Sequence, residues 1–279
     1  MCAVETQSDR HLGAKGGDLL VLNAGSSSLK FGLFPVTDDL PARWWGQIDQ
    51  LGAGNARLKV RRADDASSRH ESLGGLDHHG ALHEVILRLA DVVGEAGLVA
   101  VGHRVVHGGP HLAGPAGLDR ETLDRLHAMD PYDPAHQAVE LGYIESVAQR
   151  WPDLPQIACF DTTFHRTLPE VAQRLPVSRL DAARGLRRYG FHGLSYTHVV
   201  NELRRLEGGA PTRGRVVIAH LGSGASLAAV KEGRSVETTM GFTPTGGLPM
   251  SSRSGDIDPG VFLWLKRHHA MLAEDFSRP

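Results

Sequence analysis

A strand–turn–strand pattern occurs twice in this sequence and limits the folds that the chain can adopt. The first copy has an apolar strand at Leu19–Leu22, a turn of small polar residues at Asn23–Ser28 and a second strand at Leu29–Phe34. The second copy has strands at Val216–Ala219 and Leu227–Val230, again joined by a turn rich in glycine and serine. Self-similarity on this scale predicts a duplicated domain rather than a short repeat array.

Helical and strand patterns alternate between and around the two copies. An apolar stripe predicts an amphipathic helix, and its members are Leu82, Val85, Ile86, Leu89 and Val93. Further helices are predicted at 119–128, 135–149 and 195–206, with Asp119 as the N-cap of the first. A buried strand is expected at 155–160, a last helix begins near Asp258, and the polar region 51–80 carries only weak strand signals. This alternation predicts an α/β fold.

The two copies have unequal lengths, which predicts two unequal domains. We expect residues 1–17 to form a flexible tail, residues 18–162 an N-terminal domain and residues 163–279 the first part of a second domain. The second strand–turn–strand pattern is followed by too few residues to build a sheet domain like the first. The second domain is therefore expected to be incomplete, with an uncovered sheet edge and apolar face.

Charge and cysteine content argue against several classes of protein. The formal net charge is −2 at pH 7, and the basic residues form no field that would hold nucleic acid or an anionic membrane. The chain has two cysteines, Cys2 and Cys159, so neither a disulfide framework nor a zinc site is expected. The first seventeen residues lack the apolar core of a signal peptide, and the apolar runs are far shorter than a membrane span. We therefore expect a cytoplasmic protein.

Both turns have the composition of a phosphate cradle, in which glycine lets the backbone approach an anion and serine hydroxyls add donors. One such loop is more often an ordinary hairpin turn, but its occurrence twice favours phosphate binding. The sequence has no P-loop pattern, and Gly222-x-Gly224 lacks the third glycine of a dinucleotide-binding fingerprint. Ser27-x-x-Lys30 matches only part of an acyl-serine enzyme signature, whose other motifs are missing.

A glycine-bounded segment at 102–109 places Arg104 between two histidines. A guanidinium there could clamp a carboxylate or phosphate through two parallel hydrogen bonds, although a surface arginine is an equally good interpretation. Metal binding by His103 and His107 is less favoured, because the flanking residues resemble a strand and a loop rather than a helix.

Two later segments also place an arginine or a histidine on a loop that is bounded by glycines. Residues 188–193 place His192, and residues 250–256 place Arg253, on glycine-bounded loops, where binding residues tend to lie. Asp161, at the end of a predicted strand, could hold magnesium or orient a substrate, or equally cap the next turn. Together, two phosphate-like turns, two arginines, a histidine and an aspartate are the groups that phosphoryl transfer requires.

Six segments, in this order, resemble the acetate kinase family. They are VLNAGSSSLKF (21–31), GHRVVHGG (102–109), FDTTFH (160–165), RRYGFHG (187–193), IAHLGSGAS (218–226) and TTMGFTPTGGLPMSSRSGDIDPGV (238–261). The resemblance implies an α/β fold of two duplicated ribonuclease H-like (actin-like ATPase) domains around a cleft, the second incomplete here. It also implies reversible phosphoryl transfer from ATP to acetate, giving acetyl phosphate and ADP, with Mg²⁺ as cofactor and a homodimer as the assembly.

The resemblance implies a catalytic role for four residues. Arg104 and Arg253 would flank the transferring phosphate and stabilise its transition state. His192 would donate a hydrogen bond to that phosphate. Asp161 would orient the acceptor and the magnesium ion.

Binding roles are implied for a larger set of residues. The magnesium ion and transferring phosphate would lie near Asn23, Ser26, Ser28 and Lys30. The ATP phosphates would contact His220, Gly222, Ser223 and Gly224, where Ser223 replaces the asparagine usual in the family. Acetate would bind at Arg104, with its methyl group in a pocket lined by Val106, Phe191 and Pro244.

Two alternatives remain open from the sequence. Propionate or butyrate kinase differs from acetate kinase by small changes in pocket volume, worth only about 1–3 kcal/mol. A non-catalytic remnant or binding protein is the other alternative, because the family continues well past residue 279 and Ser223 alters one phosphate loop.

Overall fold

The computed structural model describes residues 16–37, 39–93, 97–129, 134–206 and 213–269. Most of the predicted tail, residues 1–15, lies outside the described residues. The chain divides into two compact units, which we describe separately. Unit 1 comprises Met1–Val106 and Gly114–Phe160, and unit 2 comprises His107–Ala113 and Asp161–Pro279. The domain extents expected from the sequence remain a prediction.

Eight strands in the described part of unit 1 form one sheet. They are β1 (Asp18–Ala24), β2 (Ser28–Pro35), β3 (Trp44–Asp49), β4 (Ala56–Arg62), β5 (Arg69–Gly74), β6 (Leu98–Val105), β7 (Ala116–Gly117) and β8 (Gln156–Phe160). Their spatial order is β5-β4-β3-β2-β1-β6-β8-β7, and β6 runs parallel to both β1 and β8. Burial alternates along β1, so Leu20 and Leu22 enter the core while Asn23 lies on the opposite, half-buried face.

Helices α1 (His78–Leu89) and α3 (Pro134–Arg150) cover the core face of this sheet, and α2 (Arg120–His127) lies against α3. Leu82 and Val85 of α1 and Tyr143 and Val147 of α3 pack in one cluster with the buried side chains of β1 to β4. Burial of these apolar stripes, at about 25 cal/mol per Å², is the main stabilisation that unit 1 gains from its helices.

Side-chain caps define where α1 and α2 begin. Asp77 accepts a hydrogen bond from the backbone N–H of Gly80 at 2.8 Å, and Asp119 accepts one from Thr122 at 2.8 Å. Each cap satisfies an N–H group that the first helical turn cannot pair internally, a contribution of about 1 kcal/mol. The predicted N-cap at Asp119 is confirmed.

Unit 2 contains a smaller antiparallel sheet in its described residues. Its elements are a 3₁₀ helix (Thr163–Thr167), α4 (Glu170–Gln173), α5 (Arg179–Ala183), α6 (Gly193–Leu206), β9 (Arg215–Leu221), β10 (Ala225–Lys231), β11 (Arg234–Thr238) and α7 (Pro259–His269). The sheet order is β11-β10-β9. Tyr196 and Val200 of α6 pack against Ile218, Ala228 and Val230, so the helix stripe covers one face of the sheet. Of the helices described in both units, none has the length and apolarity that crossing a membrane requires.

Most predicted elements are confirmed, and the exceptions have physical causes. Both predicted hairpins form, as β1–β2 and β9–β10. Helix α1 ends at Leu89, and Val93 packs on the same core from the following turn. The region 51–80, expected to carry only weak strands, contributes β4 and β5. Strand β5 is exposed along most of its length, so backbone pairing with β4 forms it without an apolar alternation that the sequence could reveal.

Candidate functional site

In unit 1, a cluster of polar groups lies where β1 ends. Arg104 of β6 donates from Nη1 to Asn23 Oδ1 at 3.3 Å and to the carbonyl oxygen of Ala24 at 3.1 Å. Lys30 stands directly opposite Asn23 in the β1–β2 ladder, so the two side chains share one face of the sheet. Two cations and an amide therefore meet at the carboxyl end of β1, a favourable arrangement for an anion.

The turn between β1 and β2 is closed by its own backbone. The N–H of Gly25 donates to the carbonyl of Ser28 at 2.8 Å, while Ser26 is exposed. A Cβ at position 25 would lie 2.9 Å from Ser28 Oγ, so glycine is what leaves room for that hydroxyl. The turn thus presents serine hydroxyls on a compact backbone.

A histidine at the start of α1 supports this turn. His78 Nε2 lies 3.1 Å from the carbonyl oxygen of Ser26, and His78 Nδ1 lies 2.9 Å from the hydroxyl of Tyr143. A carbonyl can only accept, so Nε2 carries the proton and Nδ1 accepts from Tyr143. Neither residue was recognised as functional from the sequence, because each reads as part of an ordinary helix.

A buried carboxylate orients the segment that follows Arg104. Both oxygens of Glu140 accept from the backbone N–H of Val106, at 3.2 and 3.0 Å, and Glu140 is only 3% exposed. Val106, a predicted pocket residue, is itself buried. Glu140 was also missed, since a single glutamate on a helix normally indicates a solvated face.

In unit 2, the start of α6 holds two predicted site residues together. The N–H of Gly193 donates to the carbonyl of Asp161 at 2.8 Å, and Asp161 is 2% exposed. His192 directly precedes the helix with φ of 59°, a left-handed conformation that is uncommon for a side-chain-bearing residue. The helix start and the strand-end aspartate are therefore tied through the backbone.

His192 is stacked on a second histidine. The rings of His192 and His220 lie 4.0 Å apart between centroids, with planes 19° apart. Ser226 Oγ lies 2.8 Å from His192 Nδ1, and Ser195 Oγ lies 3.0 Å from His220 Nδ1. Each ring is thus fixed through its Nδ1 atom.

The turn between β9 and β10 meets His192 and Arg253 at Gly224. A Cβ at position 224 would lie 3.1 Å from His192 Nε2 and 3.6 Å from Arg253 Nη1. The turn is closed by a hydrogen bond from the N–H of Gly222 to the carbonyl of Gly224 at 3.0 Å, and Ser223 is exposed. Arg253 Nη1 also donates to the carbonyl of Pro244 at 3.0 Å. The structure therefore brings a histidine, an arginine and the glycine-rich turn together within unit 2.

The predicted pocket residues of unit 2 are buried. Phe191 is 1% exposed and packs edge-on against His107, with ring centroids 5.6 Å apart, and Pro244 is also buried. The carbonyl of Phe191 accepts from His165 Nε2 at 3.0 Å. Burial lowers the pKa of His165 to about 4, so the ring is neutral at pH 7 and acts as a fixed donor to this backbone.

Metal binding by His103 and His107 receives no support from their surroundings. His103 Nε2 lies 2.7 Å from Gln156 Oε1, and burial lowers the pKa of His103 to about 4. His107 Nδ1 accepts from the N–H of Gly109 at 2.8 Å. Among the residues that the structure describes, no group of three or more histidine, cysteine, aspartate or glutamate side chains is arranged to hold a metal ion.

Oxygen donors suited to magnesium are nonetheless present in the predicted set. Asn23 offers an amide oxygen in unit 1, and Asp161 offers a carboxylate in unit 2. Magnesium prefers oxygen ligands and is commonly held by one or two protein groups together with substrate phosphates and water. Taken separately, the donor chemistry of each residue fits such an ion.

Comparison with known proteins identifies the family to which the chain belongs. The family described as the acetokinase family matches residues 18–278. An acetate kinase of Rhodopseudomonas palustris is 45% identical over 266 residues, which cover 93% of this chain and 66% of the relative. The chain thus spans less than two thirds of that relative's length.

Solved structures of similar proteins support the predicted fold. A propionate kinase from Francisella tularensis matches with a TM-score of 0.83 at 29% identity, covering 93% of this chain and 66% of that protein. An acetate kinase of Porphyromonas gingivalis matches with a TM-score of 0.76 at 31% identity and the same coverage. These likenesses confirm the predicted α/β fold class of the actin-like ATPases.

Proposed function

Because this chain belongs to the acetokinase family, we propose that it carries acetate kinase chemistry, the reversible phosphoryl transfer between ATP and acetate. An oxygen of the acetate carboxylate attacks the γ-phosphorus of ATP. The bond from that phosphorus to the β,γ-bridging oxygen breaks, and ADP leaves with the electron pair. Acetyl phosphate and ADP are the products.

The observation that carries the proposal is the convergence of three groups at Gly224. His192 Nε2 and Arg253 Nη1 both face the position where a Cβ would stand, 3.1 and 3.6 Å from it. In phosphoryl transfer the protein does little covalent work, and the rate comes from positioning and from charge stabilisation on the equatorial oxygens. A guanidinium and an imidazole beside a glycine-rich turn are suited to that task.

Unit 1 supplies a second set of phosphate-binding groups in this proposal. Arg104 is held by Asn23 and by the carbonyl of Ala24, so its guanidinium is fixed before substrate binds. Lys30, Ser26 and Ser28 add a cation and hydroxyl donors. A preorganised donor does not have to reorient when charge develops, which is the source of its catalytic advantage.

Magnesium would be held by the amide oxygen of Asn23 in unit 1, together with substrate phosphates. The chemistry that the bound ion supplies is neutralisation of negative charge on the β- and γ-phosphate oxygens. Asp161 would orient the acceptor, because its position is tied to the start of α6 by the bond from Gly193 to its carbonyl.

The acceptor is proposed to be a short monocarboxylate, and acetate in particular. In unit 2, Phe191 and Pro244 are apolar and buried, as expected for residues that limit the volume available to a methyl group, and Val106 of unit 1 has the same character. Propionate is the second candidate, because a structural relative is described as a propionate kinase. We further propose that the protein is cytoplasmic and that it binds ATP and ADP, whereas the homodimer that the resemblance implies is an expectation for the full-length family.

The test is to purify the chain and measure acyl phosphate formation from MgATP with acetate, propionate, butyrate and succinate. Trapping with hydroxylamine reports the acyl phosphate, and calorimetry reports ATP binding separately. We expect acetate to give the largest kcat/KM. Succinate as the best acceptor would contradict the pocket assignment, and ATP binding without turnover on any acceptor would favour the non-catalytic alternative.

A further inference from the structure

Three side chains of unit 2 form a continuous hydrogen-bonded chain that ends on His192. The hydroxyl of Tyr196, on α6, lies 2.5 Å from Ser226 Oγ, on β10. Ser226 Oγ in turn lies 2.8 Å from His192 Nδ1. Tyr196 and Ser226 are both 0% exposed, so water does not compete for these bonds. The family resemblance assigns no role to either residue.

The direction of each hydrogen bond follows from the number of protons available. Burial raises the pKa of the Tyr196 phenol, so it keeps its proton at pH 7 and must donate it. The oxygen of Ser226, 2.5 Å away, is placed to accept that proton.

The hydroxyl group of Ser226 has one proton, and the bond from Tyr196 determines where that proton is donated. Its oxygen accepts from Tyr196, so its own O–H is left to donate to His192 Nδ1. An imidazole that accepts at Nδ1 carries its proton on Nε2 when it is neutral. Nε2 is the atom that faces Gly224 and Arg253.

We propose that Tyr196 and Ser226 are positioning residues that hold His192 in the Nε2–H tautomer, so that it presents a donor to the phosphoryl oxygens. The catalytic role of this tautomer rests on the proposed function, whereas the assignment of the tautomer itself does not. The opposite tautomer would turn a lone pair towards an anion, which is repulsive. The stack on His220 fixes the ring plane, and the hydrogen-bonded chain fixes which nitrogen carries the proton.

The tautomer of His192 can be determined by NMR, without any activity measurement. Histidine labelled with ¹⁵N gives distinct nitrogen shifts and long-range proton couplings for the two neutral tautomers, and His192→Gln identifies the signal. We expect the Nε2–H form in the wild-type protein at pH 8 and a mixture of forms in Ser226→Ala. Ser226→Thr, which keeps a hydroxyl, should restore the Nε2–H form.

Matched variants separate positioning from general damage. Ser195→Ala removes the analogous serine partner of His220 and should leave the His192 tautomer unchanged. Tyr196→Phe frees the serine hydroxyl to rotate and should give a partial shift of the tautomer. Inorganic phosphate, added as a probe, should perturb the His192 Nε2–H signal in the wild-type protein and less in Ser226→Ala.

Kinetics provide the second readout. In Ser226→Ala we expect kcat to fall about tenfold, below the 10²–10³-fold loss of removing a donor outright, with KM for acetate within about twofold. Ser226→Thr should recover most of this loss. A wild-type protein in the Nδ1–H form, or a Ser226→Ala variant with an unchanged tautomer, would overturn the inference. An inactive wild-type protein whose tautomer nevertheless depends on Ser226 would support the inference and count against the proposed function.

Discussion

The turns of the two hairpins have similar compositions but are supported in different ways. In unit 1, the β1–β2 hairpin lies inside a sheet with neighbours on both sides, and its cation, Arg104, comes from the adjacent parallel strand β6. In unit 2, the β9–β10 hairpin belongs to a three-stranded sheet in the described residues, and Arg253 comes from a long loop. The composition of a glycine- and serine-rich turn therefore predicts a candidate anion site, but not which elements surround it.

The difference extends to the histidines that support each turn. His78 donates to the carbonyl of Ser26 and so fixes the backbone of the unit 1 turn. His192 faces the unit 2 turn with Nε2, next to Gly224. The first histidine holds a turn in place, whereas the second is proposed above to present a proton to the ligand of the turn. We therefore expect substitutions in the two units to affect binding and turnover differently.

The largest effect is expected from the two arginines. Arg104→Ala and Arg253→Ala should each lower kcat by about 10³-fold, because a guanidinium on the transferring phosphate contributes mainly in the transition state. Steady-state kinetics with KM for ATP and acetate would show the split. Arg205→Ala, which removes an exposed ion pair with Glu202, is the control and should leave kcat within about twofold. Retention of more than a tenth of the activity in both variants would remove these arginines from the transition state.

Burial of a histidine also makes the fold of each unit sensitive to acid. Burial lowers the pKa to about 4 for His103 in unit 1 and for His165 in unit 2. The unfolded state binds the proton first, near pH 6.5, so stability is full above that pH and falls as the pH drops towards 4. Each site accounts for a loss on the order of 3 kcal/mol across this window.

Denaturant titrations between pH 7.5 and 4 would measure this loss. His103→Gln and His165→Gln should each flatten the dependence of unfolding free energy on pH, since the proton-binding group is gone. Exposed His79, replaced in the same way, should leave the slope unchanged. A wild-type stability that is constant from pH 7 to 4.5 would mean that these rings are not held neutral.

Glycine substitutions compare the two turns directly. The Cβ of Gly224→Ala would lie 3.1 Å from His192 Nε2 and press on that ring, so we expect kcat to fall by up to about 10²-fold. The Cβ of Gly25→Ala would meet Ser28 Oγ at 2.9 Å, where a single hydroxyl can rotate away, so the loss should be smaller. Gly222→Ala has its nearest neighbour at 3.5 Å and should cost the least of the three. Equal losses at all three positions would argue against a special role for Gly224.

The smallest expected effect is at His78. His78→Ala removes the support of the Ser26 carbonyl, a hydrogen bond whose net contribution is about 1 kcal/mol. We expect KM for ATP to rise several-fold with little change in kcat. His79→Ala, on the exposed side of the same helix start, is the matched control. A fall in kcat without a change in KM would give His78 a role like that proposed for His192.

The sequence predicted the parts of this molecule that have strong local patterns. Alternation and turn composition located both hairpins, and Asp119 was correctly identified as a cap. Strand β5 was missed because most of its side chains are exposed and polar, so its pairing leaves no trace in hydropathy. The roles of the motif residues come from the resemblance and remain predictions.

The supporting residues of the candidate site were not predictable. Glu140, Ser226 and Tyr196 become informative only when tertiary structure places them beside a backbone N–H or an imidazole. Glu140 is far along the chain from Val106, and Ser226 is far from His192. Tyr196 follows His192 by one helical turn, but it is far from Ser226, with which it shares a hydrogen bond. Long-range contacts of this kind have no signature in a single sequence.

The most direct test of the account is to follow the fate of the acceptor oxygen. Acetate labelled with ¹⁸O in its carboxylate is incubated with MgATP and the purified protein, and the products are observed by ³¹P NMR. The account predicts ADP and acetyl phosphate in equal amounts, with the acetyl phosphate signal displaced because ¹⁸O is bonded to phosphorus. ADP accompanied by inorganic phosphate alone, or acetyl phosphate without the isotope shift, would contradict transfer to the carboxylate.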